Sequence, residues 1–179
     1  MIKLIDILNE VNQPQYKIYV DMDGVIADFD QRFKDLSGGI PPKEYETKFG
    51  KKKFWDLIDK DNYLEFWTDI KKMEDANTLM DFVSQYDYEL LTAPSIKKQS
   101  EYGKKIWIQI HVGDLFQSPP KVNFKSAKTK HEIKPNLSEF DILIDDREQT
   151  INNWNNSGGI GILHTSAAST IKQLKALGL

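Results

Sequence analysis

An α/β fold with a parallel central sheet is what this sequence predicts, and three observations predict it. Short β-prone runs alternate with helical periods along most of the chain. One of those runs, FDILI at 140–144, is apolar nearly throughout, as a strand covered on both faces must be. Polar residues also gather just past the ends of several runs, where ligands bind in open α/β sheets. At 179 residues with 40% hydrophobic content the chain suffices for one ordinary domain, so any second unit should be an insertion.

Taken in order, Ile2, Leu4, Ile5, Leu8 and Val11 recur at roughly helical spacing, which predicts an amphipathic packing helix ending before Asn12-Gln13-Pro14. YKIYV (16–20) is β-rich and stops at an Asp-Met-Asp-Gly turn, after which IADFDQRFKDL resumes a helical period. Further strands are expected at YELLT (88–92), KVNF (121–124), FDILI (140–144) and IGIL (160–163), and further helices at 75–86, 97–111, 148–156 and 167–177. The exception is 38–74, where Gly38-Gly39 and Pro41-Pro42 open a segment rich in lysines and aromatics without a convincing strand. It reads as a small helical cap inserted after the first strand and helix, so the core comprises 1–37 and 75–179. Gly158-Gly159 and Gly161 mark a helix-to-strand turn and lack the spacing of a dinucleotide-binding fingerprint.

The balance of 24 basic against 27 acidic residues, a formal charge of -3, argues against duplex nucleic acid as a partner and favours small substrates. With no cysteine, disulfides, thiolate metal sites and cysteine nucleophiles are excluded. MIKLIDILNE carries Asp6 and Glu10 within its apolar pattern and does not read as a signal peptide, and no run reaches the roughly 18 apolar residues of a membrane span. A cytoplasmic protein with no membrane partner is expected, with a homodimer left open.

Four polar features follow predicted strands. In DMDGV, Asp21 and Asp23 stand two apart after YKIYV, with Gly24 allowing a sharp turn. A carboxylate beside a divalent cation can attack phosphorus, and a second carboxyl nearby can protonate the leaving oxygen. A solvated turn would also use Asp and Gly, but a calcium loop of the EF-hand type would need further oxygen ligands and a closing Glu that are lacking. Thr92 ends YELLT and precedes Ala93-Pro94-Ser95; a hydroxyl there with the free amides of the turn suits a phosphate oxygen, or caps the next helix.

After KVNF come Lys125, Lys128, Lys130, His131 and Lys134, of which most should be solvated surface. One ammonium is expected to offset phosphate charge, Lys128 first and Lys130 in reserve. In ILIDDRE, the adjacent Asp145 and Asp146 repel each other unless a cation or strong donors compensate them, which points to Mg²⁺. His111, His131 and His164 are scattered without paired ligand spacing and read as structural or surface residues.

DMDGV, LLT, a lysine and ILIDD in this order resemble the four motifs of the haloacid-dehalogenase (HAD) superfamily, over about residues 16 to 146. The fuller strings DMDGVIADFD, YELLTAPS and DILIDDREQTINNW are similar to the 5'(3')-deoxyribonucleotidase family, including viral and bacterial relatives. The resemblance implies a HAD-like Rossmannoid three-layer sandwich and a Mg²⁺-dependent phosphatase removing phosphate from deoxyribonucleoside monophosphates. It implies Asp21 as nucleophile and metal ligand, and Asp23 as general acid/base that also offers its carbonyl to the metal. Thr92, Ala93 and Lys128 would hold the phosphoryl group, and Asp145, with Asp146 beside it, would complete the metal shell. In relatives the lysine closely precedes the ILIDD strand, whereas here SAKTKHEIKPNLSEF intervenes with other lysines.

The first helix and cap are unusually aromatic, with Phe29, Phe33, Tyr45, Phe49, Phe54, Trp55, Tyr63, Phe66 and Trp67. Aromatic faces stack on bases, but most of these rings must build the cap's own small core. Phe29 and Trp67 are the rings expected to reach a nucleotide. Alternative substrates are sugar phosphates or a polynucleotide 3'-phosphate, and a non-catalytic phosphate-binding domain is the alternative outside enzymes.

Overall fold

The computed structural model describes residues 15–60, 63–95, 97–112 and 119–179, so the helix expected at the start of the chain lies outside them. Five strands are present: β1 (Lys17–Val20), β2 (Asp87–Thr92), β3 (Val122–Phe124), β4 (Asp141–Asp145) and β5 (Ile160–Leu163). All pair in parallel, in the order β3-β2-β1-β4-β5, which puts β1 at the centre. The chain therefore has the expected α/β architecture, a parallel sheet with helices on both faces.

Alternation along the strands decides the two faces. Ile18, Val20, Leu90, Ile142, Ile144 and Ile162 point into the larger core, which is covered by α5 (Ala76–Val83), α6 (Gln99–His111) and α8 (Ala167–Ala176). Tyr19, Leu91 and Leu143 point the other way and meet Ile151 and Trp154 of α7 (Glu148–Asn156), with Ile133 and Leu137 alongside. Every residue of β4 is buried, the apolar Ile142, Leu143 and Ile144 and the aspartates at both ends alike.

Between β1 and β2 the chain makes an excursion of helices. Helix α1 (Phe29–Ser37) starts where the Asp28 carboxylate accepts from the Gln31 amide at 3.0 Å, a side-chain cap that satisfies a free donor. Helices α2 (Pro42–Phe49), α3 (Lys51–Lys60) and α4 (Tyr63–Thr68) follow, with no strand among the described residues of 38–74. At the base of the excursion the outgoing and returning limbs are tied together: Asp28 N donates to Lys71 O (2.8 Å) and Met73 N to Ile26 O (3.0 Å). Phe33, Phe54, Phe66 and Trp67 are buried in continuity with the main core, so their rings are largely spent on packing. Among the described residues no helix is long and apolar enough to cross a membrane.

Candidate active site

The C-terminal edges of β1, β2 and β4 converge, and the loops that leave them carry the polar residues. Asp21 follows β1 directly. Its amide donates to Ile144 O at 2.9 Å, which extends the strand pairing by one residue and buries the side chain. Beyond it, Met22 O accepts from the amides of Ile26 and Ala27, both at 2.9 Å, so 22–27 closes into a tight turn that returns Asp23 toward the sheet edge. Gly24 in this turn has φ +77°, a left-handed conformation that favours glycine, and a Cβ there would collide with the Asp146 carboxylate. Two motifs far apart in sequence are thereby pressed together.

Asp145 is the last residue of β4 and is wholly buried; its Oδ1 accepts from the Arg147 amide at 2.9 Å. Lys130, in a short 3-10 turn spanning Lys130–Ile133, reaches between β1 and β4 with its side chain 1% exposed. Its Nζ lies 2.8 Å from Asp21 Oδ1 and 2.6 Å from Asp145 Oδ2. Asp21, Asp145 and Asp146 each present a carboxylate oxygen, and the three atoms lie within 4.8 Å of one another.

One ammonium among three carboxylates leaves negative charge uncompensated. Burial, then repulsion from Asp21, pushes the Asp145 carboxyl up to about 6 against the pull of Lys130. Asp146 stands at the exposed rim, where partial desolvation, with Asp21 and Asp145 adding to the rise, carries it to about 7. Burial alone would lower the Lys130 pKa, but Asp21 and Asp145 together hold it above its ordinary value. These donors fit a hard divalent cation: all are oxygens, they carry surplus charge, and they lie within 4.8 Å of one another, on the scale of the ~4.2 Å across an octahedral Mg²⁺ shell with bonds of about 2.0–2.1 Å.

A second cluster adjoins the first. Thr92 ends β2, wholly buried, and its Oγ1 accepts from Lys104 Nζ at 2.8 Å. The same ammonium donates to Ala93 O (3.0 Å) and to Asp23 Oδ2 (2.5 Å). Burial pushes the Asp23 carboxyl above its ordinary range against the pull of Lys104, and Asp21 adds to the rise, so Asp23 is disposed to hold a proton. Lys104 Nζ also lies 5.3 Å from the centre of the Trp67 ring, a cation over an aromatic face.

Asp21, Asp23, Thr92, Ala93, Asp145 and Asp146 are thus brought to one edge of the sheet. Lys128 is not among them: its side chain is exposed, and two residues on the 3-10 turn redirects the chain so that Lys130, the reserve choice, enters the buried site. Trp67 also departs from expectation. Its indole is 1% exposed, flanked by Phe29 and Phe66, and seated so close to α6 that a Cβ on Gly103 would lie 2.5 Å from its own Cβ. No face of that ring is open to a base; it walls the site beside Lys104. Phe29, at the start of α1, is half-buried with rings of Phe33, Phe54, Phe66 and Trp67 around it.

Lys104 is a residue that the sequence reading does not single out, because 97–111 is assigned there only as a helix. The signal was there: Ser100, Gly103, Lys104, Trp107 and Ile108 are spaced i, i+3, i+4, i+7 and i+8, and they form the buried stripe of α6. A lysine on such a stripe must find partners for its charge, since an unpaired buried ammonium is prohibitive.

No family model matches the sequence, and neither does any curated protein. Solved structures do share the fold. A haloacid dehalogenase-like family hydrolase from Xanthomonas campestris superposes with a TM-score of 0.61 at 11% identity, covering 93% of each chain. The provisionally assigned HAD hydrolase YfnB from Bacillus subtilis, bound to magnesium, gives 0.56 at 13% identity over 92% of this chain and 99% of its own. A predicted phosphatase from Clostridium acetobutylicum gives 0.53 at 16% identity, covering 93% of this chain and all of the other. The sheet and helices described above are therefore those of the HAD-like Rossmannoid fold.

Proposed function

We propose that this chain is a Mg²⁺-dependent phosphomonoester hydrolase working through an aspartyl phosphate on Asp21. The observation that carries the reading is the convergence of Asp21, Lys130, Asp145 and Asp146 at the end of the central strands, with Asp23 two residues beyond the attacking group. Asp21, Asp145 and Asp146 would hold the cation, which when bound offsets the charge of carboxylate and phosphate as they approach. Asp21 attacks phosphorus, Lys130 neutralises charge that develops on the phosphoryl oxygens, and Thr92 donates its hydroxyl to one of them. Asp23 gives its proton to the departing alkoxide and then takes one from the water that hydrolyses the acyl phosphate. The helices of 38–74 act as a small cap that keeps bulk water from this step.

Within that class, deoxyribonucleoside monophosphates are the preferred substrates. The support is the likeness of DMDGVIADFD, YELLTAPS and DILIDDREQTINNW to that nucleotidase family, together with the half-buried Phe29 ring, which packs against Trp67. One observation favours a second reading, a phosphatase for sugar phosphates or other small esters: burial of Trp67 removes one of the two rings expected to stack on a base. Phosphate release from a panel of nucleoside monophosphates and sugar phosphates, with and without Mg²⁺, tests both. Release from no ester at any Mg²⁺ concentration would overturn the phosphatase reading; faster release from sugar phosphates would overturn the nucleotide one.

A further inference from the structure

We infer that Lys104 is a positioning residue that orients the acid Asp23 and the phosphate-binding hydroxyl of Thr92 at once; this rests on the phosphatase reading above. Lys104 is 0% exposed, and an ammonium has three N–H donors. Its three oxygen partners, Asp23 Oδ2, Thr92 Oγ1 and Ala93 O, account for all of them. With no donor to spare it is not itself a ligand of the phosphoryl group, and its effect passes through the atoms it holds.

Both effects follow from hydrogen-bond polarity. Because Thr92 Oγ1 accepts from Lys104, its single hydrogen is turned away from the ammonium and toward an incoming acceptor, which at this position is a phosphoryl oxygen. Because Asp23 is gripped by Oδ2, its other oxygen is left over: Oδ1 is buried and has no hydrogen-bond partner among the described residues. The carboxyl plane is thereby fixed, while 28% of the Asp23 side chain stays open toward the site. As the Asp21–phosphorus bond forms and the ester P–O bond breaks, the proton of the Asp23 carboxyl moves to the departing alkoxide; in the second half the same carboxylate takes a proton from the attacking water. Trp67 and Gly103 complete the device, the ring covering Lys104 because the glycine lets α4 approach α6. The lysine stays dry and its orientation fixed.

The test is Lys104→Met assayed as kcat/KM on a series of aryl phosphates of graded leaving-group acidity plus a nucleoside monophosphate, with a melting curve to confirm folding. A residue that positions the acid is needed most where the leaving group is poor. The expected loss is on the order of 10²-fold or more for the alkyl ester and several-fold less for p-nitrophenyl phosphate, so dependence on leaving-group pKa steepens. In an Asp23→Asn background, Lys104→Met should cost far less than in the wild type. Equal loss on every substrate, or full additivity with Asp23→Asn, overturns the inference. Should the methionine variant not fold, Lys104→Arg keeps the cation but not the spacing of its donors and carries the same readout, with the same two outcomes deciding. A wild-type protein that releases no phosphate fails the phosphatase reading instead, which separates the two failures.

Discussion

Lys104 and Lys130, the two buried lysines among the described residues, sit in neighbouring clusters, and the charge around them differs. Lys130 pairs with two carboxylates and has a third, Asp146, beside them, so its region carries more negative charge than it can hold by itself, and desolvation together with this repulsion raises Asp145 and Asp146 to about 6 and 7. Lys104 faces one carboxylate, one hydroxyl and one carbonyl, and its donors and their acceptors match in number. A region with surplus charge is built to receive a counter-ion and responds to its addition; a balanced one is built to hold orientation. The first should therefore be sensitive to metal and pH, and the second to geometry and leaving group.

The largest expected effect lies in the first region. Asp21→Asn keeps the side-chain shape but replaces the attacking carboxylate with a poor nucleophile, and turnover should fall by about 10⁴-fold or more while the melting curve is retained. Trapping the phosphoenzyme from labelled substrate places the label on Asp21; a label elsewhere breaks the assignment. Chelation comes next: excess EDTA should abolish phosphate release and added Mg²⁺ restore it, as colorimetric phosphate assay will show.

Lys130→Met sharpens the contrast. It removes the only ammonium that pairs with Asp21 and Asp145 among the described residues, so kcat should drop on the order of 10²–10³-fold alike for good and poor leaving groups. The Mg²⁺ concentration giving half-maximal activity should fall as well, because the carboxylates lose their competitor. Lys104→Met should leave that concentration unchanged. A variant pair that behaved identically would dissolve the distinction.

The pH dependence of stability follows from the same surplus. Asp145 and Asp146 have folded-state pKa values above those of an unfolded chain, so between about pH 4 and 7 the folded form binds more protons than the unfolded one. Stability of the metal-free protein is then highest at the acid end of this window and falls as pH rises through it. Melting curves in EDTA should show that decline, Mg²⁺ should reverse it most strongly above pH 7, and Asp146→Asn should flatten it.

The smallest effect belongs to the seat of the second region. Gly103→Ala places a Cβ against the backbone-anchored Cβ of Trp67, and α4 must shift to accommodate it. A destabilisation of about 1–3 kcal/mol by denaturant titration is expected, with the nucleoside monophosphate reaction slowed more than the aryl phosphate one.

How far the sequence foretold this differs between the regions. Strand ends were legible because a buried parallel strand is apolar and stops abruptly at its polar ligands, so Asp21, Thr92 and Asp145 could be placed from pattern alone. Lys128 and Lys130 could not be separated, since what distinguishes them is a 3-10 turn of four residues with no strong propensity of its own. Lys104 was hidden in a helix whose period predicts burial but not what the buried ammonium meets. Trp67 illustrates the remaining gap: an aromatic residue has the same composition whether it packs or binds, and only the approach of α6 at Gly103 decides which.

The sheet order bears on the life of the chain before it is complete. Register sets Lys17 against both Asp87 and Asp141, so the central strand acquires its second neighbour only after most of the protein has been synthesised. Until β4 emerges, the amide of Asp21 lacks Ile144 O and the nascent chain carries an unpaired apolar edge. Contacts this distant in sequence fold slowly and leave a window for aggregation. An emerging polypeptide halted before residue 141 would hold the whole excursion of helices yet lack the assembled carboxylate cluster, and it would be a natural client for a chaperone.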